Sequence, residues 1–88
     1  MPLPLYGFVE GDTIGVLIWA DEGESVQALA TRLRDAVSLR VETSDEMEVV
    51  YRGAVLDPAV TLAYAHFAPL QRFDLRRKHG VSESSNTG

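Results

Sequence analysis

The chain has 88 residues, a net charge of −5 and no cysteine. That length allows one domain, and the missing thiols exclude a disulfide framework or a thiolate metal site. The acidic balance argues against a nucleic-acid partner, because binding phosphates requires a basic field.

Leu3 to Val9 and Ile14 to Ala20 read as two strands, with Gly11-Asp12 as a tight turn between them. Pairing across that turn sets Val9 opposite Ile14, Gly7 opposite Val16 and Leu5 opposite Ile18. The apolar run Val16-Leu17-Ile18-Trp19-Ala20 is far shorter than the roughly 20 residues that span a bilayer. The amino terminus, Met1-Pro2-Leu3-Pro4, carries no basic segment, so no secretory leader is expected. A cytoplasmic location with no membrane partner follows as the expectation.

Asp21-Glu22-Gly23-Glu24 is a polar connection, and Ser25 has the right side chain for a helix N-cap. Val26, Leu29, Ala30, Leu33 and Val37 recur at helical spacing and predict one apolar stripe on a helix from about Ser25 to Ser38. Leu39 to Met47 is polar-rich loop. Met47 to Arg52 is a third strand, with Val49 and Tyr51 on one face and Val50 on the other. Gly53 marks a turn, Val55-Leu56 a short strand, and Leu62 to Phe67 a short helical turn. Gln71 to Lys78 is the last strand, with Phe73 and Leu75 at period-two spacing. Residues 79–88 are almost devoid of apolar side chains and are expected to form a disordered polar tail behind a domain spanning residues 1–78.

A hairpin, one helix and further strands make an α+β layout. The inner sheet face, under the helix, is expected to carry Leu5, Val9, Ile14, Val16, Ile18, Val49, Leu56, Leu62, Phe67, Phe73 and Leu75. The outer face of the hairpin would then carry Tyr6, Phe8, Leu17 and Trp19. A contiguous aromatic patch of this kind marks a partner interface. A one-residue slip of register would instead exchange the two faces and bury these four.

Catalytic patterns are sparse. The two histidines, His66 and His79, stand apart, and no Glu-x-x-His or His-x-x-x-His pair occurs. Phosphate-binding glycine loops and Gly-x-Ser-x-Gly are absent. Asp45, Glu46 and Glu48 form an acidic run that reads as solvated surface. No catalytic, cofactor-binding or metal-ligating residue is therefore assigned.

The segment Glu48-Val49-Val50-Tyr51-Arg52-Gly53-Ala54-Val55-Leu56-Asp57, with Thr61-Leu62, Phe67 and Phe73-Asp74-Leu75-Arg76-Arg77, resembles the second half of ubiquitin. The likeness implies a β-grasp: a mixed sheet of four to five strands with one packed helix. Protein modifiers of that group end in Gly-Gly, and no such pair exists here. The position matching the centre of ubiquitin's recognition surface is Val50, with Arg76 expected beside it on the last strand.

The first half is similar to another group. The apolar hairpin from Pro4-Leu5-Tyr6 to Leu17-Ile18-Trp19-Ala20-Asp21, the Ser-led helix Ser25-Val26-Gln27-Ala28-Leu29-Ala30, Leu56-Asp57-Pro58 and Phe73-Asp74-Leu75 carry the resemblance. It is to the gamma (B) subunit of bacterial soluble di-iron monooxygenase hydroxylases, the toluene, alkene and isoprene monooxygenase group, over residues 4 to 77. It implies a small non-catalytic structural subunit. The di-iron centre would lie in a partner alpha subunit, with a beta subunit in the same hetero-oligomer. The assembly would oxygenate an aromatic or alkene hydrocarbon with O2. The rival reading is a free-standing ubiquitin-like adaptor or regulatory module.

Overall fold

The computed structural model describes residues 2–39 and 46–78. The expected tail over 79–88 and most of the loop between the helix and the third strand lie outside the described residues.

Strand β1 (Pro2–Val9) and strand β2 (Val16–Asp21) form the hairpin, and helix α1 (Val26–Val37) follows. Strands β3 (Met47–Tyr51), β4 (Ala54–Val55) and β5 (Arg72–Arg77) complete a five-stranded sheet in the order β2-β1-β5-β3-β4. Strands β1 and β5 run parallel in the middle and the other neighbours are antiparallel. This is the expected β-grasp.

The helix forms where its cap and stripe place it. Ser25 is extended (φ −81°, ψ 160°) and its Oγ accepts from the Ala28 amide at 3.1 Å. The amides of Val26 and Gln27 donate to the carbonyls of Val60 and Pro58, so the first turn is satisfied by cap and loop together. Val26, Leu29, Leu33 and Val37 are buried against the sheet.

The inner sheet face supplies Leu3, Leu5 and Val9 from β1, Ile18 and Ala20 from β2, Val49 and Tyr51 from β3, and Phe73 and Leu75 from β5. Leu62 and Phe67 close one end of this core, with the Phe67 ring stacked on Tyr51 at 4.0 Å between centroids. Val16 and Leu56 are only partly buried against it. Gly7 is needed where helix and sheet approach most closely. A Cβ there would lie 2.7 Å from Leu33 Cδ2 and 2.8 Å from Phe73 Cζ.

The hairpin register pairs Leu5 with Ile18 and Gly7 with Val16, as expected. Ile14 is the correction. It is 55% exposed and precedes β2 instead of pairing with Val9. The Val9 carbonyl accepts from the Asp12 amide at 2.9 Å, and the Ile14 amide donates to Asp12 Oδ1 at 3.2 Å. The side chain of Asp12 thus competes with the ladder and takes the group that Ile14 would have offered. The turn falls one residue early, on Glu10-Gly11, where Gly11 supplies a φ of 92°.

Candidate partner-binding surface

Because side chains alternate along a strand, the register that buries Leu5 and Ile18 turns Pro4, Tyr6 and Phe8 outward on β1. Leu17 and Trp19 turn outward on β2. Pro4 pairs with Trp19 and Tyr6 with Leu17, so these residues form rows on one sheet face. Trp19 is 59% exposed, Leu17 45% and Tyr6 41%. The structure therefore brings together three of the expected residues as an open apolar surface.

Phe8 shares that face but is covered. Its ring lies where a Cβ on Gly15 would sit, 2.5 Å from Cζ, so Gly15 is the residue that lets the ring lie down. The Arg72 guanidinium lies over the same ring, 4.0 Å from the centroid. Arg72 also donates through Nε and Nη2 to Asp74 Oδ1 at 3.1 and 3.0 Å. Phe8 acts as a floor that holds this arginine flat, a cation–π contact.

The backbone of β2 is fixed as well. The next strand over is β1 on one side only, so β2 is an edge. Arg32 reaches from α1 and donates through Nη1 and Nη2 to the Trp19 carbonyl at 2.6 and 2.8 Å, while its Nη2 lies 3.5 Å from Glu24 Oε2. A charged side chain across the carbonyl blunts this edge against pairing with another strand. Trp19 is thereby held on a strand that is bonded from both sides.

The other half of the outer face is charged. Arg76 Nε donates to Glu48 Oε2 at 3.0 Å, and Val50 stands opposite Asp74. This corrects the expected neighbour of Val50. The antiparallel register assigns Arg76 to Glu48, two residues along the ladder, and the apolar surface at Val50 is interrupted by Asp74 instead.

The remaining candidates are dispersed. His66 is exposed with φ 64° in the turn before β5, and its carbonyl accepts from the Tyr51 hydroxyl at 3.4 Å. His79 and Asp45 lie outside the described residues. Among the described residues no three His, Cys, Asp or Glu side chains converge on a metal-sized site, and no helix is long and apolar enough to cross a membrane. A groove of about 540 Å³ runs between α1 and β3, floored by Val26, Ala30, Val49 and Leu75 and rimmed by Arg34 and Lys78.

One residue of the outer face, Pro4, lies beyond the expected set, and its parity with Tyr6 places it there, opposite Trp19. The Leu70 amide donates to the Pro4 carbonyl at 2.6 Å.

Solved structures with this fold are numerous. One chain of the toluene 4-monooxygenase HD complex with the inhibitor 4-bromobenzoate superposes with a TM-score of 0.80 at 20% identity, covering 89% of this chain and 100% of that one. Ubiquitin from Caldiarchaeum subterraneum gives 0.75 at 16% identity, over 90% of this chain and 96% of that one. The UBL domain of Plasmodium falciparum Dsk2 gives 0.73 at 18% identity, over 89% and 100%. Among curated proteins no match is found. The model of one family, toluene-4-monooxygenase system protein B (TmoB), matches residues 2–76. With that match running through the hairpin, the helix and β5, the chain belongs to the toluene-4-monooxygenase system protein B family.

Proposed function

We propose that the chain is the small, non-catalytic structural subunit of a multicomponent di-iron monooxygenase that oxygenates an aromatic or alkene hydrocarbon with O2. The family match over residues 2–76 carries this reading. The likeness to a chain in a toluene 4-monooxygenase complex supports it at the level of fold.

The residues of this chain do not fit a di-iron centre. Such a centre needs several helices presenting Glu and Glu-x-x-His ligands inward. Among the described residues there is one helix, of 12 residues. Glu48 and Asp74 face Arg76 and Arg72. The iron belongs to a large alpha subunit, with a beta subunit in the same assembly, operating in the cytoplasm. The part of this chain is to buttress the alpha subunit through Trp19, Leu17, Tyr6 and the Phe8-supported Arg72. That surface is apolar at its centre and charged along one border, the composition of an interface core and its rim.

The test is co-purification from the native host. The tagged chain should travel through gel filtration in fixed ratio with a large chain carrying Glu-x-x-His pairs. Elution of the chain by itself, with the hydroxylase complete without it, would favour the free-standing adaptor. A second measurement addresses the non-catalytic role. His66→Asn keeps a residue suited to the left-handed conformation, and turnover of the complex should stay within roughly threefold of the parent. Loss of turnover in an intact complex would overturn the structural-subunit reading.

A further inference from the structure

The sheet ends in two edges of unequal length. Strand β4 has 2 residues, and so short an edge offers little to a neighbour. Strand β2 has 6, and its run Val16-Leu17-Ile18-Trp19-Ala20 carries neither a charge nor a proline. The bonds of β1 show which backbone groups β2 turns to the edge. The Tyr6 amide donates to the Gln71 carbonyl at 3.0 Å, and the Pro4 carbonyl accepts from the Leu70 amide at 2.6 Å. Both point away from β2, so Tyr6–Leu17 and Pro4–Trp19 are the pairs that exchange no bonds. Leu17, Trp19 and, by the same alternation, Asp21 therefore aim their amides and carbonyls outward.

Part of that row is filled from within the chain. The Trp19 carbonyl accepts from Nη1 and Nη2 of Arg32. The Asp21 amide donates to Glu24 Oε1 at 2.9 Å, and the Asp21 carbonyl accepts from the Glu24 amide at 2.9 Å. Glu24 Oε2, 3.5 Å from Arg32 Nη2, ties the two caps together. The amide and carbonyl of Leu17 and the amide of Trp19 take no bond among the described residues. A second copy of β2 fits this edge. Laid antiparallel about Ile18, Leu17 of each copy meets Trp19 of the other, and outward groups face outward groups. Each such pair exchanges its bonds through a Trp19 carbonyl, the group that Arg32 occupies.

We infer that the Arg32–Glu24 pair is a guard on the long edge of the sheet. By filling the Trp19 carbonyl it keeps β2 from pairing with β2 of a second copy, and it keeps the chain monomeric. The protection that other edge strands carry in their own sequence, a lysine or a proline, is here supplied from the helix. The guard acts on the chain alone and does not depend on the subunit role proposed above.

Sedimentation equilibrium of the full chain, together with amide hydrogen exchange at Leu17 and Trp19, tests it. The parent should stay monomeric, with both amides exchanging fast. Arg32→Ala should self-associate about tenfold more tightly or better, because both freed carbonyls then take a bond. The Leu17 and Trp19 amides should gain protection as that dimer forms. Arg32→Lys keeps a charged donor on the helix and should behave as the parent. Arg32→Ala that remains monomeric with a folded circular dichroism spectrum would overturn the inference. So would a dimer in which Leu17 and Trp19 stay unprotected, since the copies would then meet through the apolar sheet face. A parent already dimeric through protected β2 amides would show an edge without a guard, and loss of the folded spectrum in Arg32→Ala would make Arg32 a structural residue; either result overturns it as well.

Discussion

Strand β1 presents two faces with opposite fates. Leu3, Leu5 and Val9 point inward and are buried under a helix whose stripe matches them. Pro4, Tyr6 and Phe8 point outward, where Phe8 lies between Gly15 and the Arg72 guanidinium and Tyr6 stays exposed. Both faces are apolar. An antiparallel hairpin with one wet face ordinarily alternates apolar and polar residues. The inner face finds its complement within the chain, and the outer face is left open at Tyr6, Leu17 and Trp19. The difference teaches that the fold accounts for the inward apolar face of the hairpin and leaves the outward one open, the face that the subunit role proposed above would cover.

The largest effect should come from the inner face. Phe73 is fully buried, meets Phe67 edge-on at 6.1 Å, and lies against the position of Gly7. Phe73→Ala should cost about 3–5 kcal/mol, the scale of a large core truncation. In a domain this small that removes most of the stability. Urea denaturation followed by circular dichroism measures it. A loss below about 1 kcal/mol would mean that the inner face is not the core.

Next comes Trp19→Ala on the outer face. Binding should weaken by about 2 kcal/mol, as for a buried aromatic hot spot, while the fold changes by less than about 1 kcal/mol. Titration calorimetry or dilution of the complex gives the first quantity, and a melting curve of the chain gives the second. If the fold fails and assembly shows no separate defect, the two faces do not differ in the way their exposure implies.

The inner half of this comparison was legible in the sequence and the outer half only in outline. Val26, Leu29, Leu33 and Val37 announce the helix because spacing and cap agree, and the structure ends it within a residue of the expected bounds. Leu5 opposite Ile18 was readable because a buried face fixes register. Ile14 was misplaced because Asp12 bonds locally, and the strength of one side-chain hydrogen bond is invisible to an apolar pattern. Tyr51 was placed on the right face but not in the core, since its hydroxyl needed Gln71 Oε1 at 3.1 Å, a contact 20 residues away in sequence. Val50 was paired with Arg76 because nothing local distinguishes that register from the observed one, in which Val50 meets Asp74.

Gly15→Ala probes the border between the two halves of the outer face. A Cβ would meet the far end of the Phe8 ring at 2.5 Å, so the ring must move. Ring displacement removes the floor under Arg72 and changes the fold by about 1 kcal/mol, because the ring can swing without moving backbone. Near-ultraviolet circular dichroism and the melting temperature report it. Assembly should weaken alongside if the partner reads Arg72 in its flat orientation, and should hold if only Trp19 and its neighbours are read.

The smallest effect belongs to the charged half. Arg76 and Glu48 form a cross-strand ion pair at 3.0 Å with the arginine nearly half exposed. Such pairs contribute at most about 1 kcal/mol, because water screens them and two long side chains must be ordered. Arg76→Gln should therefore lower the denaturation midpoint only slightly, and less still in high salt. Assembly should stay unchanged, since this pair joins β5 to β3, on the side of β5 away from the hairpin. A loss of assembly as large as that from Trp19→Ala, suppressed by salt, would move the interface onto β5 and β3. The outward apolar rows of the hairpin would then need another explanation, and the contrast between the two faces of β1 would no longer locate the partner.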